Sequence, residues 1–211
     1  MNIYPVVEKA LWLCEWIMRL AYVNVLWLLF SIVGLGVFGI GPATAALFTV
    51  QMKWLQGDES TGVFSTFWST YKKRFWKANL LSYVLILLGL ILYFDLTFFA
   101  SREGLLFKGI SLLTFTLSMW YLMTVCYSYP FFINYELTIK HTIKNSWIAV
   151  MLKPIHTLAM LLTTGACGFI VLSFPKLLPF FGVSLPCLLI LLFVNKTFQK
   201  VNDVTEALEA A

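Results

Sequence analysis

Long apolar runs alternate along the chain with short polar joints. Val6 to Met18 is apolar apart from one stripe, in which Glu8, Trp12, Glu15 and Arg19 fall within about 60° of one another on a helix. The stripe predicts an amphipathic lead-in over 6–18, and a first apolar span over 21–40 follows it. A single straight helix over both would exceed about 50 Å, so part of it must lie in the interface or tilt strongly. Glu15 and Arg19 are spaced for an i,i+4 pair. Asn24 sits at the start of the span beside Trp27, either as an interfacial residue or as a helix–helix hydrogen-bond donor.

Gly39-Ile40-Gly41-Pro42 interrupts the apolar run, and a second apolar-leaning stretch over 43–55 predicts a short interfacial helix. Gly41, Ala45 and Thr49, each four residues from the next, line up small side chains that let another helix approach closely. Asn24, Trp27, Gly41, Pro42, Ala45 and Thr49 are therefore the candidate contacts for helix packing or a partner.

A polar loop over 56–62 leads into 63–77, where Val63, Phe64, Phe67, Trp68, Tyr71 and Phe75 share an arc of about 140° on the helical wheel. Lys72, Lys73 and Lys77 lie outside that arc and Arg74 within it, the pattern of a basic amphipathic helix resting on a membrane surface. Further apolar spans are predicted over approximately 80–100, 109–133, 154–174 and 177–194. A second basic interfacial helix over 135–153 carries Lys140 and Lys144, with Ile139, Ile143, Trp147 and Val150 as its apolar stripe. Pro179, Gly182 and Pro186 are expected to irregularise the last span. The tail, 195–211, reads as a short surface helix or a partner contact. The order span, basic elbow, span occurs twice, as a weak parallel repeat.

Composition turns this pattern into a solvent assignment. Of 211 residues, 60% are hydrophobic and 12% charged, and mean hydropathy is +0.85. Soluble chains carry about 25% charged residues, so this one lacks the polar surface to face water all round. The predicted class is an all-α polytopic membrane bundle forming one domain over 1–211, with about five transmembrane helices plus basic interfacial helices. Net charge is +5, but the lysines sit between apolar spans, which points to anionic lipid headgroups in the bilayer and not to nucleic acid. No cleavable leader is evident, because Glu8 and Glu15 lie in the first segment without a small-residue cleavage site.

Lys53, Lys72, Lys73, Arg74, Lys77, Lys140, Lys144, Lys153, Lys196 and Lys200 fall on one side of a five-span arrangement. Lys9, Arg19, Arg102, Lys108 and Lys176 fall on the other. The richer side is expected in the cytoplasm, placing the N-terminus outside and the C-terminus inside. Lys72, Lys73, Arg74, Lys77, Lys140 and Lys144 are then the candidate contacts with the cytoplasmic leaflet.

The constellations that carry chemistry do not assemble. Gly34-x-Gly36-x-x-Gly39 matches a dinucleotide-binding pattern by letter, but it is embedded in an apolar run and fits a kink or close packing instead. His141 and His156 stand fifteen apart without an HExxH or a His/Cys cluster. Cys14, Cys126, Cys167 and Cys187 are scattered in apolar runs as packing residues. Neither GxSxG nor GxxxxGK[ST] occurs. Asp95, the one intramembrane acid, is either a functional carboxylate or a solvated residue near the interface. Asn195-Lys-Thr is a glycosylation sequon only in form. No catalytic, cofactor or metal residues are assigned, and the chain is not expected to be an enzyme.

Several short stretches carry a resemblance, and they occur in order along nearly the whole chain. They are Asn24-x-Leu26-Trp27, Gly41-Pro42-Ala43-x-x-Ala46, Phe67 with Tyr71-Lys72 and Phe75-Trp76-Lys77, Tyr129-Pro130, and Ile143-Lys144-Asn145-Ser146. Together they are similar to the YesL family of bacterial membrane proteins. The resemblance implies a multi-pass protein of Gram-positive type, of unassigned chemistry, associated with carbohydrate-uptake ABC transporters and glycan-degrading enzymes. It thus implies ABC permease and ATPase subunits as partners, with this chain an accessory subunit. It carries over no catalytic residues.

The predicted orientation has a direct check. A cysteine introduced at Lys73 should react with a membrane-impermeant maleimide only after the cells are opened; reaction in intact cells inverts the topology.

Overall fold

The computed structural model describes residues 4–58, 62–135 and 138–195, and all regular structure among them is helical. Four helices are long and apolar enough to cross a bilayer, or five if a bent pair near the end counts as one span. The chain is a multi-pass helical membrane protein.

Helix α1 (Tyr4–Val33) runs 30 residues, about 45 Å. The amphipathic lead-in and the first span are one helix, because no glycine or proline separates Val6 from Val33. It stops at Val33, short of residue 40. The six residues Gly34–Gly39 form a tight turn in which Leu35 and Gly36 take positive φ of 56° and 71°. A Cβ on Gly34 would strike the backbone of Gly39 and lie 2.8 Å from the Tyr71 hydroxyl. The glycine pattern thus serves a chain reversal.

Helix α2 (Ile40–Leu55) follows, with Pro42 in the first turn, where a missing N–H breaks no bond. The interfacial helix expected over 43–55 is instead the most enclosed element of the fold. Ala43, Ala45, Ala46, Leu47 and Gln51 are fully buried. Its small side chains let α1 and the helices that follow approach from several directions, and it therefore becomes the axis.

Helix α3 (Val63–Ala100) is 38 residues long, about 57 Å. The expected elbow over 63–77 and span over 80–100 are continuous, since Ala78-Asn79 between them supplies no helix breaker. The aromatic arc does not lie wholly on a membrane surface: Phe67 and Tyr71 are buried, their rings 5.2 and 5.1 Å from that of Phe30 on α1. Gly41 of α2 meets α3 at Ala78 and Ser82, where an added Cβ would clash with the Ser82 hydroxyl and sit 3.0 Å from the Ala78 carbonyl.

Gly104, at φ 122°, turns the chain into α4 (Leu105–Asn134), which returns along α3. Tyr129 of α4 stacks on Phe48 of α2 with ring centroids 5.8 Å apart, and its hydroxyl pairs with that of Ser82 at 2.7 Å. Helix α5 (Ile139–Leu152) then folds back against α4, with Trp147 on Trp120 at 6.1 Å. The interfacial helix expected over 135–153 is therefore shorter and packed on one side. Ile139 and Ile143 meet the cluster of Leu81, Leu85 and Phe132, while Thr142 and Ser146 are fully buried. The expected repeat differs in form, since α3 absorbs its basic segment and α5 stands apart from the next helix.

Helix α6 (Pro154–Ser173) begins directly after Lys153. A 3₁₀ turn (Pro175–Leu177), a short α7 (Leu178–Phe181) and α8 (Ser184–Asn195) complete the description. The segment from Pro175 to Phe181 meets α8 at 56°, the irregularity expected from Pro179 and Gly182. Of the tail over 195–211, only Asn195 lies within the described residues.

Outward positions are apolar: Phe94, Ile155, Leu162 and Phe169 are all exposed. Lipid is as apolar as these side chains, so helix cohesion here comes from close packing and hydrogen bonds more than from burial. Gly41→Val should accordingly lower stability by about 1–3 kcal/mol through overpacking against α3. The check is reversible unfolding in mixed micelles.

Candidate functional site

The break between α7 and α8 frees backbone groups that would have no water to bond in a bilayer. Asn24 of α1, fully buried, bonds four backbone groups there, of which the Leu178 carbonyl also accepts from the Gly182 amide at 3.0 Å. Its Nδ2 donates to the carbonyls of Leu178 at 3.1 Å and Pro179 at 2.7 Å. Its Oδ1 accepts from the amides of Val183 at 2.9 Å and Ser184 at 3.0 Å. Two donors and two lone pairs exhaust a primary amide, so the side chain stands in for the missing turn of helix. The two openings left by the sequence resolve in favour of a helix–helix hydrogen-bonding role. Gln51 of α2 adds a second tie, donating from Nε2 to the Ser184 carbonyl at 2.7 Å.

The other candidate packing residues also point inward. Trp27 donates its indole N–H to Thr44 Oγ1 at 3.0 Å, and Thr44 donates on to the Ile40 carbonyl at 2.7 Å. Pro42 and Ala45 are buried, and the Thr49 hydroxyl donates to the Ala45 carbonyl at 2.8 Å. With Gly41 against α3, the small-residue face is filled by the chain's own helices and is not open to a partner.

The basic candidates divide. Lys72, Lys73, Lys77, Lys140 and Lys144 are exposed, with the Lys72 ammonium 4.2 Å from the Trp68 ring centroid. Arg74 turns inward and donates to the carbonyls of Phe132 at 2.6 Å and Ile133 at 3.2 Å. Those belong to the last turn of α4, where carbonyls lack helical partners and a cation is favoured. Arg74 is therefore a helix cap and not a leaflet contact, in keeping with its place inside the aromatic arc. Because it ties α3 to the end of α4, from which α5 departs, the exposed lysines of α3 and α5 lie on connected elements.

Gln51 was not singled out by the sequence, and Tyr71, read there as part of the aromatic arc, uses its hydroxyl to donate to the Phe30 carbonyl at 3.2 Å. An amide isolated in an apolar 43–55 run was the available signal for Gln51. The plentiful serines and threonines mostly bond one turn back, as Ser128 does to Thr124 and Ser146 to Thr142, both at 2.8 Å. His156 reaches across to α8, its Nε2 3.2 Å from the Phe193 carbonyl, and His141 is exposed on α5. Asp95 is exposed near the end of α3.

The family model described as "Protein of unknown function, DUF624" matches residues 20–96, the stretch holding Asn24, all of α2 and most of α3. The uncharacterized protein YteU of Bacillus subtilis (strain 168) is 41% identical over 180 residues, 84% of this chain and 79% of its own. The uncharacterized protein YesL of the same organism is 34% identical over 200 residues, 94% of this chain and 93% of its own. The chain belongs to the YesL family. A third Bacillus subtilis relative, YesV, is 32% identical across 90% of this chain and 91% of its own length. No solved structure matches. In this YesL-family protein the family match begins four residues before Asn24 and thus takes in the amide that holds the broken helix, together with its neighbour Gln51.

Asn24→Leu keeps the size but strands the Pro179 carbonyl and the Val183 and Ser184 amides, and should destabilise the protein by about 2–4 kcal/mol. The looser break should also expose Cys187, which is buried beside it on α8. In a background where the other three cysteines are replaced, a maleimide should modify Cys187 faster in N24L than in the parent; equal rates would remove the clamp.

Proposed function

We propose that this YesL-family protein is a non-catalytic accessory or scaffold subunit of an ABC importer for oligosaccharides. It would sit in the cell membrane beside the permease and ATPase subunits, with its N-terminus outside and its C-terminus in the cytoplasm. The observation that carries this reading is where the polar side chains are spent. Asn24, Gln51, Tyr71 and Arg74 all bond to the chain's own backbone, while Lys72, Lys73, Lys77, Lys140 and Lys144 and many large apolar side chains are exposed. Such an interior supports a body that docks and orients, with Lys72, Lys73, Lys77, Lys140 and Lys144 against anionic headgroups of the inner leaflet. Since Gly41, Ala45 and Thr49 are occupied internally, partner contact falls to the outward side of the α3–α4 hairpin, where Leu90, Tyr93 and Phe94 are exposed. The association with sugar importers rests on the family resemblance.

The bent α7–α8 pair favours a second reading, a permease-type transporter, because broken helices form substrate sites in many transporters. Against it, the freed groups of this break are held by Asn24. A third reading, a membrane sensor or scaffold unrelated to transport, would give crosslinks to other proteins.

Purification in a mild detergent separates them. Permease and ATPase subunits are expected to copurify, and deletion of the gene should reduce oligosaccharide uptake. A protein that runs alone in every detergent, with uptake intact on deletion, would overturn the proposal. Solute flux into liposomes holding this chain alone would move the assignment to a transporter.

A further inference from the structure

The far end of the α3–α4 hairpin holds a hollow of about 370 Å³. Its walls are of two kinds. Phe99, Leu112 and Phe115 are apolar, and Arg102, Lys108 and Ser111 are polar. The Arg102 guanidinium rests 4.9 Å from the centroid of the Phe98 ring, which holds it at the edge of the apolar wall. Phe99 and Phe107 stack at 6.5 Å and brace the two helices on either side of the turn. Two carboxylates lie near this end, Asp95 and Glu103, but neither lines the hollow. The charged side chains of the lining, Arg102 and Lys108, are both cations.

Position along the membrane normal supplies the second argument. From Leu80 to Ala100 α3 rises about 31 Å, close to the thickness of the hydrocarbon layer. With Lys77 at one polar boundary, Arg102 and Lys108 reach the other. The lining follows the same division, cations at the turn and apolar side chains towards the membrane interior. Both cations are exposed, so neither is required to hold the helices together.

We propose that this hollow is a binding site for the headgroup of an anionic phospholipid, in the leaflet opposite the one facing Lys72 and Lys77. Arg102 and Lys108 bracket the phosphodiester, the Ser111 hydroxyl donates to it, and an acyl chain runs along Leu112 and Phe115. The amides opening α4 face the same turn and add favourable polarity for an anion. The α3–α4 turn would then be fixed at its membrane surface by a lipid it selects by charge, and not by hydrophobic matching alone.

The full-length protein, purified with equal amounts of phosphatidylglycerol and phosphatidylcholine, can be assayed by native mass spectrometry for retained lipid. The protein should retain phosphatidylglycerol selectively. Arg102→Gln and Lys108→Gln should each weaken retention about fivefold, the effect of one cation near an anionic surface. Leu112→Trp keeps both charges but fills the hollow, and should reduce retention comparably. Lys72→Gln with Lys73→Gln, at the other end, should leave this retained lipid in place. Equal retention of the two lipids overturns the proposal, as does wild-type retention by the Arg102→Gln, Lys108→Gln double variant. Unchanged retention in L112W would reduce the site to diffuse surface charge and also overturn it, as would displacement of the lipid by millimolar inorganic phosphate. Copurification of importer subunits is read independently, so this result and the fate of the accessory-subunit proposal are distinguishable.

Discussion

One buried amide makes the rest of this architecture permissible. A chain that bends sharply inside a hydrocarbon solvent must find partners for the amides and carbonyls released at the bend, since each left unpaired costs several kcal/mol. Asn24 supplies both kinds of partner from a neighbouring helix, two acceptor sites for Val183 and Ser184 and two donor hydrogens for Leu178 and Pro179. Aspartate would offer only acceptors and leave the Pro179 carbonyl unpaired; leucine would offer nothing. The same amide also fixes α1 to the last elements of the fold, which are more than 150 positions away in sequence.

Around that clamp the fold is assembled on α2. In water a helix of this length with so many alanines would be a weak organiser, because each alanine buries little apolar area. In lipid the criterion changes. Close backbone approach multiplies dispersion contacts, and hydroxyl and amide groups that reach a partner within the bundle hold neighbouring helices together. Gly41 at α3, Thr44 with Trp27, and Gln51 with Ser184 show one short helix serving three neighbours in this way.

Much of the architecture was legible in the sequence because the signals were chemical extremes. The apolar runs marked the helical membrane class and Pro179 with Gly182 the late bend, whereas Gly34 to Gly39, read as a kink within a span reaching residue 40, proved to be the turn that ends α1 at Val33. The location of α2 was not legible: sixteen residues of small and apolar side chains, ending near Lys53, fit an interfacial helix as well as a central one, and only the positions of its neighbours decide. The continuity of α3 was missed for a related reason. A change from basic-aromatic to purely apolar composition at Ala78 suggested a change of direction, yet composition reports the surroundings of a helix and not its bending. Arg74 was grouped with its neighbouring lysines by charge, although its angular position on the wheel already separated it. At the candidate contacts, residue type drew attention to Asn24 and Gly41, whose contacts lie within the bundle, but type alone cannot tell an internal helix from an external one.

The unbroken course of α3 has a mechanical consequence. With no glycine or proline between Val63 and Leu88, its lysine-bearing first half and its lipid-embedded second half cannot pivot independently. A thinner or thicker bilayer around the apolar half is met by leaning the entire rod or by deforming the lipid around it, and not by a hinge between the halves. Since α2 is packed along that rod and joined through Gln51 to the bent segment, the lean is transmitted to the centre of the bundle. A lean of α3 is therefore also a displacement of the helix on which the bundle is assembled.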